Sequence, residues 1–136
     1  MPGIRRRWPV APRWTTRGLP YLVGGTALVE SNTGSTIAVS GAAVVTADAQ
    51  AGAETLSRIA GSATGGNAAI SANGGVITVG AGTQVSARGL GSSIFGALTG
   101  AESRGGSAEV RATGGGSVTL ASGVNILAGA TGAQGS

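Results

Sequence analysis

A six-residue signature recurs three times along this chain at almost constant spacing. Two glycines are followed by Thr, Asn or Ser, then Ala, then any residue, then a β-branched residue. The copies are Gly24-Gly25-Thr26-Ala27-Leu28-Val29, Gly65-Gly66-Asn67-Ala68-Ala69-Ile70 and Gly105-Gly106-Ser107-Ala108-Glu109-Val110. The second glycine falls at 25, 66 and 106, giving steps of 41 and 40 residues. A fixed period of that size marks a repeat architecture, in which each unit buries its apolar face only by packing on the next.

The same succession follows each signature. About eleven residues past the second glycine comes Ile37-Ala38-Val39, Ile77-Thr78-Val79 or Val118-Thr119-Leu120. Eight residues after the first member of each comes Val45-Thr46-Ala47, Val85-Ser86-Ala87 or Ile126-Leu127-Ala128. Within these runs the residues alternate. In the first copy Ala27, Val29, Ile37, Val39, Val45 and Ala47 face one way, with Thr26, Glu30, Ala38 and Thr46 opposite. In the second, Ala68, Ile70, Ala72, Ile77, Val79, Val85 and Ala87 are inward, and Asn67, Ser71, Thr78 and Ser86 outward. In the third, Ala108, Val110, Ala112, Val118, Leu120, Ile126 and Ala128 are inward, and Ser107, Glu109, Arg111 and Thr119 outward. Alternation with period two and β-branched enrichment predicts half-buried strands.

Turn residues punctuate the runs. Asn32-Thr33-Gly34, Asn73-Gly74-Gly75 and Thr113-Gly114-Gly115-Gly116 separate strands one and two, and Gly41, Gly82 and Gly123 separate strands two and three. Gly and Asn accept the positive φ of a sharp corner. Three strands and two corners in roughly 24 residues make one coil of a β-helix with a three-sided cross-section. The predicted fold is all-β: a right-handed parallel β-helix (β-solenoid) of about three coils, at residues 24–48, 65–88 and 105–128. Asn73-Gly74 could instead close a two-residue hairpin, so a β-meander sandwich is the rival architecture. Insertions at 49–64 and 89–104 leave from one corner of successive coils. Leu56 and Ile59, and Ile94, Phe95 and Leu98, could give them a helical turn. Such loops are where solenoids often place binding surfaces, but a solvated loop without a partner is the preferred reading for these two.

Composition sharpens a boundary near residue 22. Arg5, Arg6, Arg7, Arg13 and Arg17 precede residue 18 with no acid among them, and Trp8, Trp14 and Tyr21 lie in the same stretch. From Gly24 onward four Arg (58, 88, 104, 111) face five acids (30, 48, 54, 102, 109), a net charge of −1. Residues 1–22 are therefore read as a basic, disordered N-terminal arm and 23–136 as the β-helix repeat fragment. The arm is not read as a secretory signal, because Pro9, Pro12, Arg13 and Arg17 interrupt any apolar run. Its Arg and Trp residues suit phosphates and bases, giving nucleic-acid binding as one alternative function. The 27 glycines could suggest disorder, but 41% of residues are apolar and they are patterned.

The chemistry available is narrow. There is no Cys and no His, which removes thiolate metal sites, disulfides and His-based triads. The chain has no Lys and no Gly-x-x-x-x-Gly-Lys loop. Outward Glu30, Ser71 and Arg111 occupy equivalent places in the three coils, with Glu109 beside Arg111, a mixed-charge face with no second acid nearby from the other strands. Asp48 ends strand three, and its counterparts are Arg88 and Gly129. Thr78 and Thr119 begin a threonine ladder that Ala38 breaks. No residue is assigned to catalysis, cofactor binding or metal binding, and no cofactor is expected.

The run GGNAAISANGGVITVGAGTQVSARG, followed by GGSAEVRATGGGSVTLASGVNILAGATG, resembles the β-helical repeats of filamentous haemagglutinin-like adhesins and large autotransporter passengers of Gram-negative bacteria. The resemblance covers residues 24 to about 132. It implies a non-catalytic structural or adhesive role, as an adhesin stalk, in a surface-exposed or secreted repeat protein, with an extracellular or outer-surface location. It also implies that the chain is a piece of a longer array. The expected partners are neighbouring repeats of that parent, self-association through uncapped coil ends, or host and cell-surface glycans or proteins. A fragment of a carbohydrate-active β-helix enzyme is the other alternative.

Overall fold

The computed structural model describes residues 21–52, 60–92 and 102–132. Most of the N-terminal arm, the helical turns considered around Leu56 and Ile59, and those around Ile94, Phe95 and Leu98 lie outside the described residues. What is described is all-β, and the chain makes three similar passes. The first runs through β1 (Tyr21–Val23), β2 (Thr26–Asn32), β3 (Thr36–Val39), β4 (Ala43–Thr46) and β5 (Ala49–Gln50). The second runs through β6 (Ser62–Thr64), β7 (Asn67–Asn73), β8 (Val76–Ser86) and β9 (Gly89–Leu90). The third comprises β10 (Ser103–Arg104), β11 (Ser107–Thr113), β12 (Ser117–Leu127) and β13 (Ala130–Thr131).

Each pass contributes to each of four sheets. Their orders are β1-β6-β10, β2-β7-β11, β3-β8-β12 with β4 also on β8, and β5-β9-β13. Every ladder between these strands is parallel, which excludes the hairpin meander; the antiparallel contact among the described residues is an isolated Asn32–Gly74 bridge. The three inward columns lie in register: Val29, Ile70 and Val110; Ile37, Ile77 and Val118; Val45, Val85 and Ile126. The alternating pattern sets this register, because a slip of one residue would turn every column outward.

The small irregularity in the period has a local origin. Asn32 pairs with Asn73, a step of 41, but Thr36 pairs with Val76, a step of 40, so the middle turn is one residue shorter than the first. From the second pass to the third the difference is restored. Ser35 N–H donates to the Asn32 carbonyl and Gly116 N–H to the Thr113 carbonyl, each at 2.9 Å, closing the two longer turns. Gly114 and Gly115 both have positive φ, 60° and 79°, which side-chain-bearing residues adopt only with strain.

Four features differ from the sequence expectation. First, strands two and three are not separate in the later passes. They merge into β8 and β12, and register shifts near Ser122 absorb the bend, with Gly123 at φ 54°. Second, the ends of both insertions belong to the sheets. β5, β9 and β13 form one sheet and β1, β6 and β10 another, around a small core of Ala49, Ala51 and Ala63. One pass is thus a 40-residue unit of four sheets rather than a 24-residue coil with a loop. Third, Tyr21 and Leu22 pair with Ser62 and Ala63 instead of ending a disordered arm. Fourth, burial depends on position in the stack. Ile70, Ile77, Val79 and Val85 of the middle pass are at most 1% exposed, whereas Ile126, also in an inward column, is 47% exposed. Ala112 and Ala128 are exposed likewise, because among the described residues no strand lies beyond the third pass.

The Gly-Gly signature joins the main core to the small alanine core. Gly66 N–H donates to the Ala47 carbonyl and Gly106 N–H to the Ala87 carbonyl, each at 2.8 Å, so backbone meets backbone across the interior. A Cβ on Gly65 would collide with the Ala87 carbonyl. These glycines lack positive φ; close approach is what excludes a side chain there.

Candidate interaction surface

The outward faces are built from short polar and small side chains in registered rows. On the β2-β7-β11 sheet the rows are Thr26-Asn67-Ser107, Leu28-Ala69-Glu109, Glu30-Ser71-Arg111 and Asn32-Asn73-Thr113. The neighbouring sheet presents Thr36-Val76-Ser117 and Ala38-Thr78-Thr119. The structure therefore aligns Glu30, Ser71 and Arg111 as their spacing predicts. Ser71 is nevertheless buried, at 4% exposure, flanked by the two long charged side chains of its row.

The strongest polar constellation sits where β4 leads into β5 and β8 into β9. Ladder bonds from Ala47 N–H to the Ser86 carbonyl and from Ala49 N–H to the Arg88 carbonyl, each 2.8 Å, hold Asp48 directly beside Arg88. Asp48 Oδ1 accepts from Ser86 Oγ at 2.6 Å and from the Arg88 backbone N–H at 2.7 Å. Its Oδ2 accepts from Arg88 Nε at 3.1 Å and Nη2 at 2.9 Å, a two-pronged guanidinium–carboxylate pair. Partial burial pushes the Asp48 carboxyl pKa up. The Ser86 hydroxyl, the Arg88 amide and the Arg88 guanidinium together outweigh it and hold the carboxyl below its ordinary value. A carboxylate so fully engaged is stabilised as the anion and is a poor base. The arrangement clamps the first pass to the second at the junction of the two cores. It also buries Ser86, which the alternation pattern had placed outward.

Sequence reasoning placed Asp48 and Arg88 at equivalent positions without recognising them as partners. The available signal was opposite charge at the same register in adjacent repeats, which parallel stacking converts into contact. The other ion pairs among the described residues are within one pass and exposed: Arg104 to Glu102 at 3.1 Å and Arg111 to Glu109 at 4.0 Å. Among the described residues no three His, Cys, Asp or Glu side chains gather to hold a metal. No helix among them is long and apolar enough to cross a membrane.

The corner expected to carry a binding edge is partly structural. Gly61 N–H donates to Ser92 Oγ at 2.8 Å and Glu102 N–H to Ser62 Oγ at 3.0 Å, tying the insertion ends of adjacent passes together. The middle segments, 53–59 and 93–101, lie outside the described residues. Comparison of the chain with protein-family models, with curated proteins and with solved structures finds no match.

Proposed function

We propose that this chain is a structural, adhesive segment of a bacterial surface or secreted repeat protein, non-catalytic, whose four sheets are the faces of a right-handed parallel β-helix of three coils. The observation that carries this reading is the unbroken parallel register through all three passes around a core of small and β-branched residues. Such stacking suits a rod, since each layer contacts only its neighbours and the unit can be extended indefinitely. The outward rows supply small hydroxyls, amides and scattered charge, suited to contact with a surface or a glycan. An outer-surface location follows from the same reading.

The test is display of the chain on the outside of a bacterial cell that lacks its own adhesins. Adherence to immobilised glycans and to host cells is then measured beside release of reducing ends from the same glycans. Adherence without release is the expected result. Release of reducing ends would overturn the non-catalytic assignment, and adherence equal to that of undecorated cells would overturn the adhesive one.

A further inference from the structure

The second glycine of the signature answers to the strand on its preceding side. A Cβ on Gly66 would collide with the Gly25 carbonyl, and one on Gly106 with the Gly66 carbonyl. Gly25 holds the same place in the first pass, yet a Cβ there would meet nothing within 4 Å among the described residues. Its φ is not positive, so no turn requires glycine at that point. The edge of the first pass therefore keeps room for backbone that the described chain does not supply.

The opposite edge has the matching form. Val29, Ile37 and Val39 are half-buried at the first-pass edge, and Val110, Val118 and Leu120, which share their columns, are half-buried at the third. Charge is complementary along the same row. Glu30 is exposed and has no ion-pair partner among the described residues, while Arg111, at the other end of its row, has only Glu109 at 4.0 Å.

We propose that the first-pass edge receives the third-pass edge of a second copy of this chain, head to tail. Gly25 then lies over Gly106, Glu30 beside Arg111 and the half-buried Val29 against Val110. The strands stay parallel and the columns continue without a break. Because the two surfaces differ, the contact does not close on itself, and addition of further copies gives an open-ended filament. The proposal rests on the coiled reading given above, which a separate measurement tests.

The chain has no cysteine, so introduced thiols report cleanly. Within one chain Glu30 and Arg111 are two strand spacings apart, with Ser71 between them, about 9.6 Å and beyond the reach of a disulfide. Between stacked copies they are one spacing apart, about 4.8 Å, within reach. Under mild oxidation the double variant E30C/R111C should give a ladder of covalent multimers. A mixture of the single variants should give mixed dimers in excess over either homodimer by about tenfold or more. Adding Gly25→Ala to the double variant should abolish the ladder without lowering the thermal midpoint of the dilute chain, since the new methyl meets only the second copy. Homodimers as abundant as mixed dimers, monomer alone at the highest soluble concentration, or a ladder that survives Gly25→Ala would each overturn the proposal. Leu28 and Ala69 pair in adjacent passes, so L28C/A69C should close an intrachain disulfide. If that bond forms while the multimers do not, stacking of copies fails and the coiled reading stands. If it does not form, both fall.

Discussion

At the scale of single residues, identity and consequence separate. Gly25 and Gly66 are the same letter of the same motif, but only Gly66 faces backbone on its preceding side. Gly66→Ala should destabilise by at least about 1–3 kcal/mol, because the obstacle is a carbonyl that cannot swing aside. Gly25→Ala should be neutral or stabilise by about 0.4–1 kcal/mol through the unfolded chain, when measured on dilute monomer. Denaturant titration of the two variants checks the contrast, and equal losses would contradict the assigned role. Thr83 offers a second test. It is 2% exposed and its hydroxyl has no hydrogen-bond partner among the described residues, in a column completed by Ala43 and Val124. Thr83→Val should raise stability by about 1 kcal/mol, since it removes an unsatisfied buried group and keeps the shape. Asp48 has a pH signature. Its folded-state pKa is lowered, so its contribution is present above the ordinary carboxylate value and is lost as pH falls through the depressed one. Arg88 is 40% exposed on its side chain, so solvent screens the pair and Arg88→Ala should cost only about 1 kcal/mol at neutral pH. The difference between wild type and Asp48→Asn should begin to shrink below about pH 4, where the unfolded carboxyl takes up its proton before the folded one does. A difference constant from pH 7 down to pH 3 would contradict the clamp.

At the scale of elements, the parts legible in the sequence were those carrying large β-branched side chains. Val29, Ile37 and Val45 with their counterparts announce three columns, and the structure stacks them as expected. The small core was not legible, because Ala49, Ala51 and Ala63 alternate correctly but alanine carries little hydrophobic signal among so many alanines and glycines. Ser71 and Ser86 read as outward because alternation describes one strand at a time, whereas burial in a parallel stack also comes from long side chains on neighbouring layers. Asp48 and Arg88 stand 40 residues apart, a distance at which charge patterning along a single strand says nothing. The continuity of β8 could not be foreseen either, since Gly82 can mark a corner or a bulge. Element position also ranks core substitutions. Ile77→Ala in β8 should cost about 2–5 kcal/mol, as for any fully buried isoleucine. Ile126→Ala in β12 removes a side chain still 47% exposed and should cost less than about half as much. Similar losses at the two positions would mean that the third-pass edge is covered in solution.

At the scale of the whole molecule, stacked layers make stability local. The middle pass is bonded on both sides in every sheet, whereas the first and third are bonded on one side only among the described residues. Layers that bond only to their neighbours behave as one-dimensional arrays, in which a terminal layer can open while the layer beneath it persists. The third pass has the weaker hold: its β12 residues beyond Leu120 are exposed, while the first pass keeps Asp48 on Arg88 and buries Val45 and Ala47. Native-state hydrogen exchange on dilute chain should therefore show a gradient. Amides of β7 and β8 should exchange slowest, those of β2 to β5 next, and those of β11 to β13 fastest, with the extremes separated by about tenfold or more. The outer β11 to β13 surface is also the edge proposed to dock on the first pass of a second copy, so raising the protein concentration should slow exchange there and along β2 to β5 while leaving β7 and β8 unchanged. A side-by-side association of the flat faces would protect outward rows in all three passes alike. Uniform protection at every concentration would show a single cooperative unit, and the layered account of this molecule would then be wrong.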